Sequence, residues 1–180
     1  MDYNLDQMNK PHIILAQEYW KSLVKPEDLV IDMTCGNGHD TLFLANLKAT
    51  VFGFDIQQSA IDATRKLVPS ATLFCKSHDE LVNTPLPQNP KLVVYNLGYL
   101  PGGDKSIVTK RSSTLESLKQ ALELSSAISI MCYPGHEEGL EEEREILDYV
   151  KTLSAREWTV VYHQWINRPR APSLFLLTSS

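Results

Sequence analysis

The stretch from Asp28 to Asp55 constrains this chain most. It reads Asp28-Leu-Val-Ile-Asp32-Met-Thr34-Cys-Gly36-Asn37-Gly38, then a helical run through Phe43-Leu-Ala, then Ala49-Thr-Val-Phe-Gly-Phe-Asp55. An apolar strand enters a glycine turn, a short helix follows, and a second apolar strand ends on an acid. That is one strand–helix–strand unit with a ligand-binding turn at its carboxyl edge. Gly36 and Gly38 are expected to let the backbone approach a ligand where a Cβ would clash. Asp55 follows Gly38 by 17 residues, a position from which a carboxylate takes both hydroxyls of a ribose.

The glycine spacing narrows the ligand. A dinucleotide fold wants G-x-G-x-x-G with a pyrophosphate on the helix N-terminus. Thr41 holds the third glycine position here, so that pattern fails. A loop that binds nothing is disfavoured because loop and strand-end acid occur together. The stretch resembles motif I of the class I S-adenosylmethionine methyltransferases, an acid followed by G-x-G-x-G. Asp32 fills the acid position, Thr34 replaces the first glycine, and Gly36 and Gly38 are the other two. The resemblance implies S-adenosylmethionine as cofactor and S-adenosylhomocysteine as product. It draws Asn37, Asp40 and Thr41 into the same binding loop. Such a ligand has no phosphate but carries a sulfonium and an ammonium, which suit a carboxylate at a strand end.

At 180 residues the chain is expected to be a single domain, residues 1–180, with a real core. No stretch approaches a membrane span and the N-terminus lacks a basic-then-apolar signal. The three cysteines, Cys35, Cys75 and Cys132, form no C-x-x-C, so no disulfide framework and no metal site are expected. A reducing cytoplasm is the expected location. Net charge is −5, but residues 137–148 alone contribute seven acids against Arg144, a net −6, leaving +1 for the rest. The acidity therefore reads as one solvated helix face, with Ile146, Leu147 and Val150 for its buried stripe. A basic surface elsewhere is still allowed.

Periodicity predicts helices over 11–24, 39–47, 57–67, 113–125 and 138–153. It predicts strands over 29–34, 50–55, 71–75, 91–96, 127–132, 157–164 and 173–178. The strand at 91–96 carries no charge after Lys91 and should be central. Alternation of helix and strand gives an α/β fold, a mostly parallel sheet covered on both faces. The last two strands have no helix between them and must pair as an antiparallel hairpin. Seven strands ending so resemble the Rossmann-like class I methyltransferase fold.

In such sheets the site lies beyond the carboxyl ends of the strands. Besides the glycine loop, three segments should converge there. The first is Asp55-Ile56-Gln57. The second is Cys75-Lys-Ser77-His78-Asp79, which in the resembling fold reaches the adenine; His78 is otherwise a surface histidine. The third is Asn96-Leu97-Gly98-Tyr99. In amine-methylating enzymes this position carries [N/D]-P-P-[Y/F/W]; the polar side chain accepts the amine hydrogens and the aromatic ring stacks on the base. Asn96 and Tyr99 match its ends and are the candidate catalytic pair. Leu97 and Gly98 replace the prolines, and with Asn96 they also border the cofactor. Methyl transfer asks the protein mainly to orient the acceptor. Cys132 lacks the context of a nucleophilic thiol and reads as a buried one.

Four blocks together resemble a more particular group, the small bacterial family labelled rRNA methylases. They are Asp32–Thr41, Asn96–Lys105, Tyr133-Pro-Gly-His136-Glu-Glu-Gly139 and Asn167-Arg-Pro-Arg-Ala-Pro-Ser173. Members are associated with tRNA and with methylation of the amine of 5-aminomethyl-2-thiouridine at the wobble position. The resemblance implies a tRNA partner engaged at its anticodon region, with a homodimer allowed. His136 could touch substrate or be a loop histidine. Asp104, Lys105, Lys110 and Arg111 in one loop, with Arg168 and Arg170 in another, are candidate RNA contacts. Alternatives are an rRNA or small-molecule amine acceptor, a nicotinamide oxidoreductase, or a cofactor-binding protein without catalysis.

Overall fold

In a computed structural model of the chain, residues 11–98, 111–168 and 170–180 are described. Helix α1 (Pro11–Leu23) leads into β1 (Leu29–Asp32), α2 (His39–Asn46), β2 (Thr50–Asp55), α3 (Gln58–Leu67) and β3 (Thr72–Cys75). A 3-10 turn (His78–Asn83) precedes β4 (Leu92–Asn96), α4 (Arg111–Leu124), β5 (Ala127–Cys132), α5 (Glu137–Val150), β6 (Trp158–His163) and β7 (Ser173–Ser179). The strands form one seven-stranded sheet in the order β3-β2-β1-β4-β5-β7-β6. Strands β1 to β5 run parallel, while β7 inserts antiparallel between β5 and β6. The expected hairpin and the central place of β4 are both present.

The sheet is covered on both faces, which is why its inner strands read as unbroken apolar runs. Alternate residues serve opposite cores. Leu29, Ile31, Val93, Tyr95, Ile128 and Ile130 pack with Leu118, Ala121 and Ile146 of α4 and α5. Val30, Leu92, Val94, Ala127 and Met131 pack with Ala16, Trp20 and Leu44 of α1 and α2. Tyr19 ties α1 to β7, its hydroxyl 2.6 Å from Thr178 Oγ1. No helix among the described residues is long and apolar enough to cross a membrane.

Strand β1 ends at Asp32, two residues short of expectation. Thr34 N–H turns back onto the Asp32 carboxylate at 3.1 Å instead of continuing the ladder. The acidic helix departs further from the sequence reading. Two of its acids, Glu142 and Glu143, are only 8% exposed. They fall on the stripe of Ile146 and Val150, which turns inward. Glu142 accepts from Thr114 of α4 at 2.7 Å. Glu143 accepts from Tyr162 of β6 at 3.0 Å and from Ser173 of β7. The helix also begins at the carboxyl edge of β5, so its first acids border that edge.

Glu143 thus closes the β6–β7 pair against α5. Glu143→Ala leaves the Ser173 and Tyr162 hydroxyls without their charged acceptor and should cost about 2–3 kcal/mol. Urea denaturation should show a lower midpoint at unchanged slope.

Candidate active site

The glycine loop is held by its own backbone. Cys35 N–H donates to Phe54 O at 2.9 Å and Gly38 N–H to Cys35 O at 2.8 Å. Gly36 and Gly38 take left-handed φ of 52° and 82°. A Cβ on Gly38 would lie 3.0 Å from the Thr64 Cα. The glycine at 38 is therefore demanded by α3 packing beneath the loop, not by a ligand above it. Thr64, fully buried, donates its hydroxyl to Gly36 O at 3.2 Å. Sequence reasoning missed Thr64, since nothing local marks a contact made 28 residues away.

Three carboxylates gather around this loop. Asp32 is 1% exposed and accepts from Thr34 N–H at 3.1 Å and from Thr41 Oγ1 at 2.6 Å. Burial, reinforced by the negative charge of Asp40, pushes its pKa up to about 7. Asp55, at the end of β2, takes Gly36 N–H at 3.0 Å and Gln57 N–H at 2.9 Å. Asp40, in the first turn of α2, takes Asn96 Nδ2–H at 3.0 Å. Burial raises both of these pKa values as well. Beside Asp55, Ile56 leaves 48% of its surface in solvent, an apolar face for a planar ring. Asn37 and Gln57 border the same loop, Asn37 exposed and Gln57 partly so. Clustered acids that are partly desolvated favour an organic cation and disfavour a diphosphate. Thr41, where a dinucleotide loop needs glycine, is fully buried under Asp32.

Strand β4 ends at the same edge. Asn96 N–H donates to Thr34 Oγ1 at 2.7 Å, so the loop and the end of β4 are one bonded unit. Asp40 holds Nδ2 of Asn96, which turns the carbonyl Oδ1 to the other side of the amide. The Tyr133 hydroxyl, after β5, donates to Met131 Sδ at 3.1 Å, with Asn96 and Asp40 nearby; burial pushes its pKa up to about 12, so it stays protonated. Tyr133 is a site residue that the sequence reading quoted without assigning. Leu97 is 1% exposed, so only its backbone borders the site, and Gly98 follows beside Tyr133.

The remaining candidates separate. His78 is 6% exposed, not a surface histidine, and stands edge-on to the Tyr95 ring at 6.4 Å. Burial lowers its pKa and keeps it neutral near pH 7. Ser77 precedes it at the head of the 3-10 turn. His136 caps α5, its Nδ1 accepting Gly139 N–H at 3.1 Å. That bond requires an unprotonated Nδ1, so it outweighs the 3.3 Å approach of Glu138 to the same atom. Gly139 is forced to be glycine, because a Cβ there would lie 2.3 Å from Tyr133 O. Cys132 is buried as expected, and burial drives its thiol pKa upward. Arg168 and Arg170 are exposed. Tyr99, Asp104, Lys105, Lys110 and the side chain of Arg111 lie outside the described residues.

Residues 51–179 match the family described as "Putative rRNA methylase". The chain belongs to this family. The match includes Asp55, His78, Asn96, His136 and the terminal loop, and begins after the glycine loop. A tRNA (mnm5s2U34)-methyltransferase of Arabidopsis thaliana chloroplasts is 35% identical over 91% of this chain and 67% of its own length. A Clostridium thermocellum structure of the same rRNA-methylase description superposes with TM-score 0.87 at 35% identity, over 93% of this chain and 97% of that one. A Streptococcus mutans structure described as a methyltransferase, in complex with S-adenosylhomocysteine, superposes with TM-score 0.85 at 29% identity over the same shares. The chain is a methyltransferase of the S-adenosylmethionine-dependent class, and the dehydrogenase reading falls.

The geometry yields two expectations. Asp55→Ala should weaken S-adenosylmethionine binding by about 2 kcal/mol or more, through loss of charge-assisted bonds. Unchanged affinity by calorimetry would remove the ribose assignment. The second concerns pH in the ligand-free protein. Asp32 holds its proton to about pH 7 when folded, against 3.8 for an ordinary aspartate. Between these values the folded state binds more protons than the unfolded one, so stability falls as pH rises through that window. Asp32→Asn keeps one donor and one acceptor for Thr41 and Thr34, and should flatten that part of a thermal-melt series against pH.

Proposed function

We propose that this chain methylates an amine on tRNA, the aminomethyl group of 5-aminomethyl-2-thiouridine at the wobble position. The observation that carries the reading is the bonded unit Asp40–Asn96–Thr34 at the end of β4. It presents an amide carbonyl, fixed in direction, where an amine would be positioned. The name of the Arabidopsis relative supports the same acceptor.

The residues around the glycine loop fit the cofactor's chemistry. Asp55 offers a carboxylate to a ribose, Ile56 an apolar surface to adenine, and the acids as a group an environment for positive charge. When bound, S-adenosylmethionine supplies an activated methyl on a cationic sulfur. Asn96 Oδ1 accepts an amine hydrogen and aims the nitrogen lone pair at that carbon. Asp40 keeps the amide from flipping. Tyr133, protonated across the working pH range, removes no proton. Because His136 is committed to its cap, the amine must arrive neutral and release its proton to water after transfer. Arg168 and Arg170, exposed beside this edge, meet the phosphates.

The test is turnover on tRNA from cells lacking the enzyme, read by nucleoside mass spectrometry. Wild type should convert 5-aminomethyl-2-thiouridine to its methylamino form; absence of that conversion refutes the acceptor. Asn96→Ala should lower kcat at least a hundredfold, about 2.7 kcal/mol of lost orientation. Its S-adenosylhomocysteine affinity should stay within a few fold. Equal losses in both would make Asn96 a cofactor or folding residue.

A further inference from the structure

We infer that the turn joining β6 to β7 is a finger that inserts into the RNA, with Ile166 as its wedge and the Trp165–Arg168 pair as its platform. The inference rests on the tRNA reading above and adds the residues that would open the acceptor loop. Register fixes where the turn lies. Ser173, the first residue of β7, pairs with Cys132, the last of β5; His163, the last of β6, pairs with Leu174. The chain between them therefore crosses the sheet at its carboxyl edge, the edge that carries Asp55 and Asn96.

The turn is built to hold a shape. Glu143, buried, accepts from Tyr162 and Ser173, which bracket the turn on either side. Ala171 N–H closes back on Arg168 O at 3.0 Å. The Arg168 guanidinium sits 5.5 Å over the Trp165 ring, a cation–π contact that arranges both planes before any ligand arrives. At the tip, Ile166 is wholly exposed, at 103%, against 62% for Val82, the next most exposed large apolar residue described. A single exposed isoleucine is ordinary on a protein surface. This one lies between the two members of an aromatic–arginine pair, with Arg170 following, in a segment, 164–172, without a single acid.

That combination fits single-stranded RNA. Unpaired bases stack on aromatic rings and guanidinium planes, while arginines meet the backbone. A target base must leave its neighbours to reach a methyl donor in a cleft, and an apolar side chain can fill the gap it leaves. The exposed acids Glu137 and Glu138 open α5 at the same edge and turn phosphate away from that side.

The test uses the full-length protein and a labelled anticodon stem–loop carrying 2-aminopurine beside the wobble position. Ile166→Ala should weaken binding roughly tenfold, the scale of one lost stacking contact. It should also abolish the 2-aminopurine fluorescence rise seen with wild type. Arg168→Ala with Arg170→Ala should lower the slope of log K against log salt by ~1.4, at ~0.7 per phosphate. S-adenosylhomocysteine affinity should not change in either. Wild-type binding and fluorescence in both variants would overturn the finger while leaving the tRNA reading in place. Failure of the wild-type protein to bind the stem–loop would overturn both. If Ile166→Ala kept full RNA affinity but dissolved a dimer in sedimentation, the tip would be a protein contact and the inference wrong.

Discussion

The buried carboxylate of Asp32 is the constraint on which the catalytic edge depends. It sits under the glycine loop and bonds both the loop backbone, through Thr34, and the first turn of α2, through Thr41. Thr34 in turn receives the last N–H of β4. Glycine loop, helix start and the end of β4 are therefore one hydrogen-bonded piece. Moving the loop would move Asn96. The arrangement carries a cost, because a carboxylate taken out of water beside Asp40 resists ionisation. A positive charge placed beside that carboxylate would favour its ionised form.

Sequence and fold agree most closely where one physical cause dominates. Strands β1, β4 and β5 are buried on both faces, so their apolar runs leave little choice of structure. The placing of Asp55 and Asn96 is legible because each ends an apolar run, and both stand at strand ends on the carboxyl edge. Contacts made by packing at a distance are not legible. Thr64 reaches Gly36 only because α3 lies under the loop, and Gly38 is glycine for the same reason. His136 reads as a possible substrate contact by its place in the chain, yet its ring is occupied in holding the start of α5. Tyr133 joins Asn96 only once β4 and β5 lie side by side.

The acidic helix shows a signal that was present and misread. Composition made residues 137–148 a solvated face. Glu142 and Glu143, however, stand four and three residues before Ile146, and seven or eight before Val150, on the face that turns inward. Periodicity and charge conflicted at these two positions, and periodicity prevailed because hydroxyl donors were waiting. Thr114, Tyr162 and Ser173 supply them from three different elements. A buried acid met by hydroxyls is tolerable, whereas one without partners would not be.

Net charge is accordingly a poor guide to what this surface meets. The chain totals −5, but that sum mixes acids with unrelated tasks. Asp32, Asp40 and Asp55 gather around the glycine loop and bond its backbone and neighbours. Glu142 and Glu143 are turned inward and act as acceptors. What remains for an approaching polyanion is the local field at the carboxyl edge, with Arg168 and Arg170 on one side and the start of α5 on the other. The two sides are physically linked, because Glu143 of the acidic helix grips both strands at the mouth of the basic turn. The helix that makes the chain acidic is thus also the footing that holds its cationic turn at the carboxyl edge of the sheet.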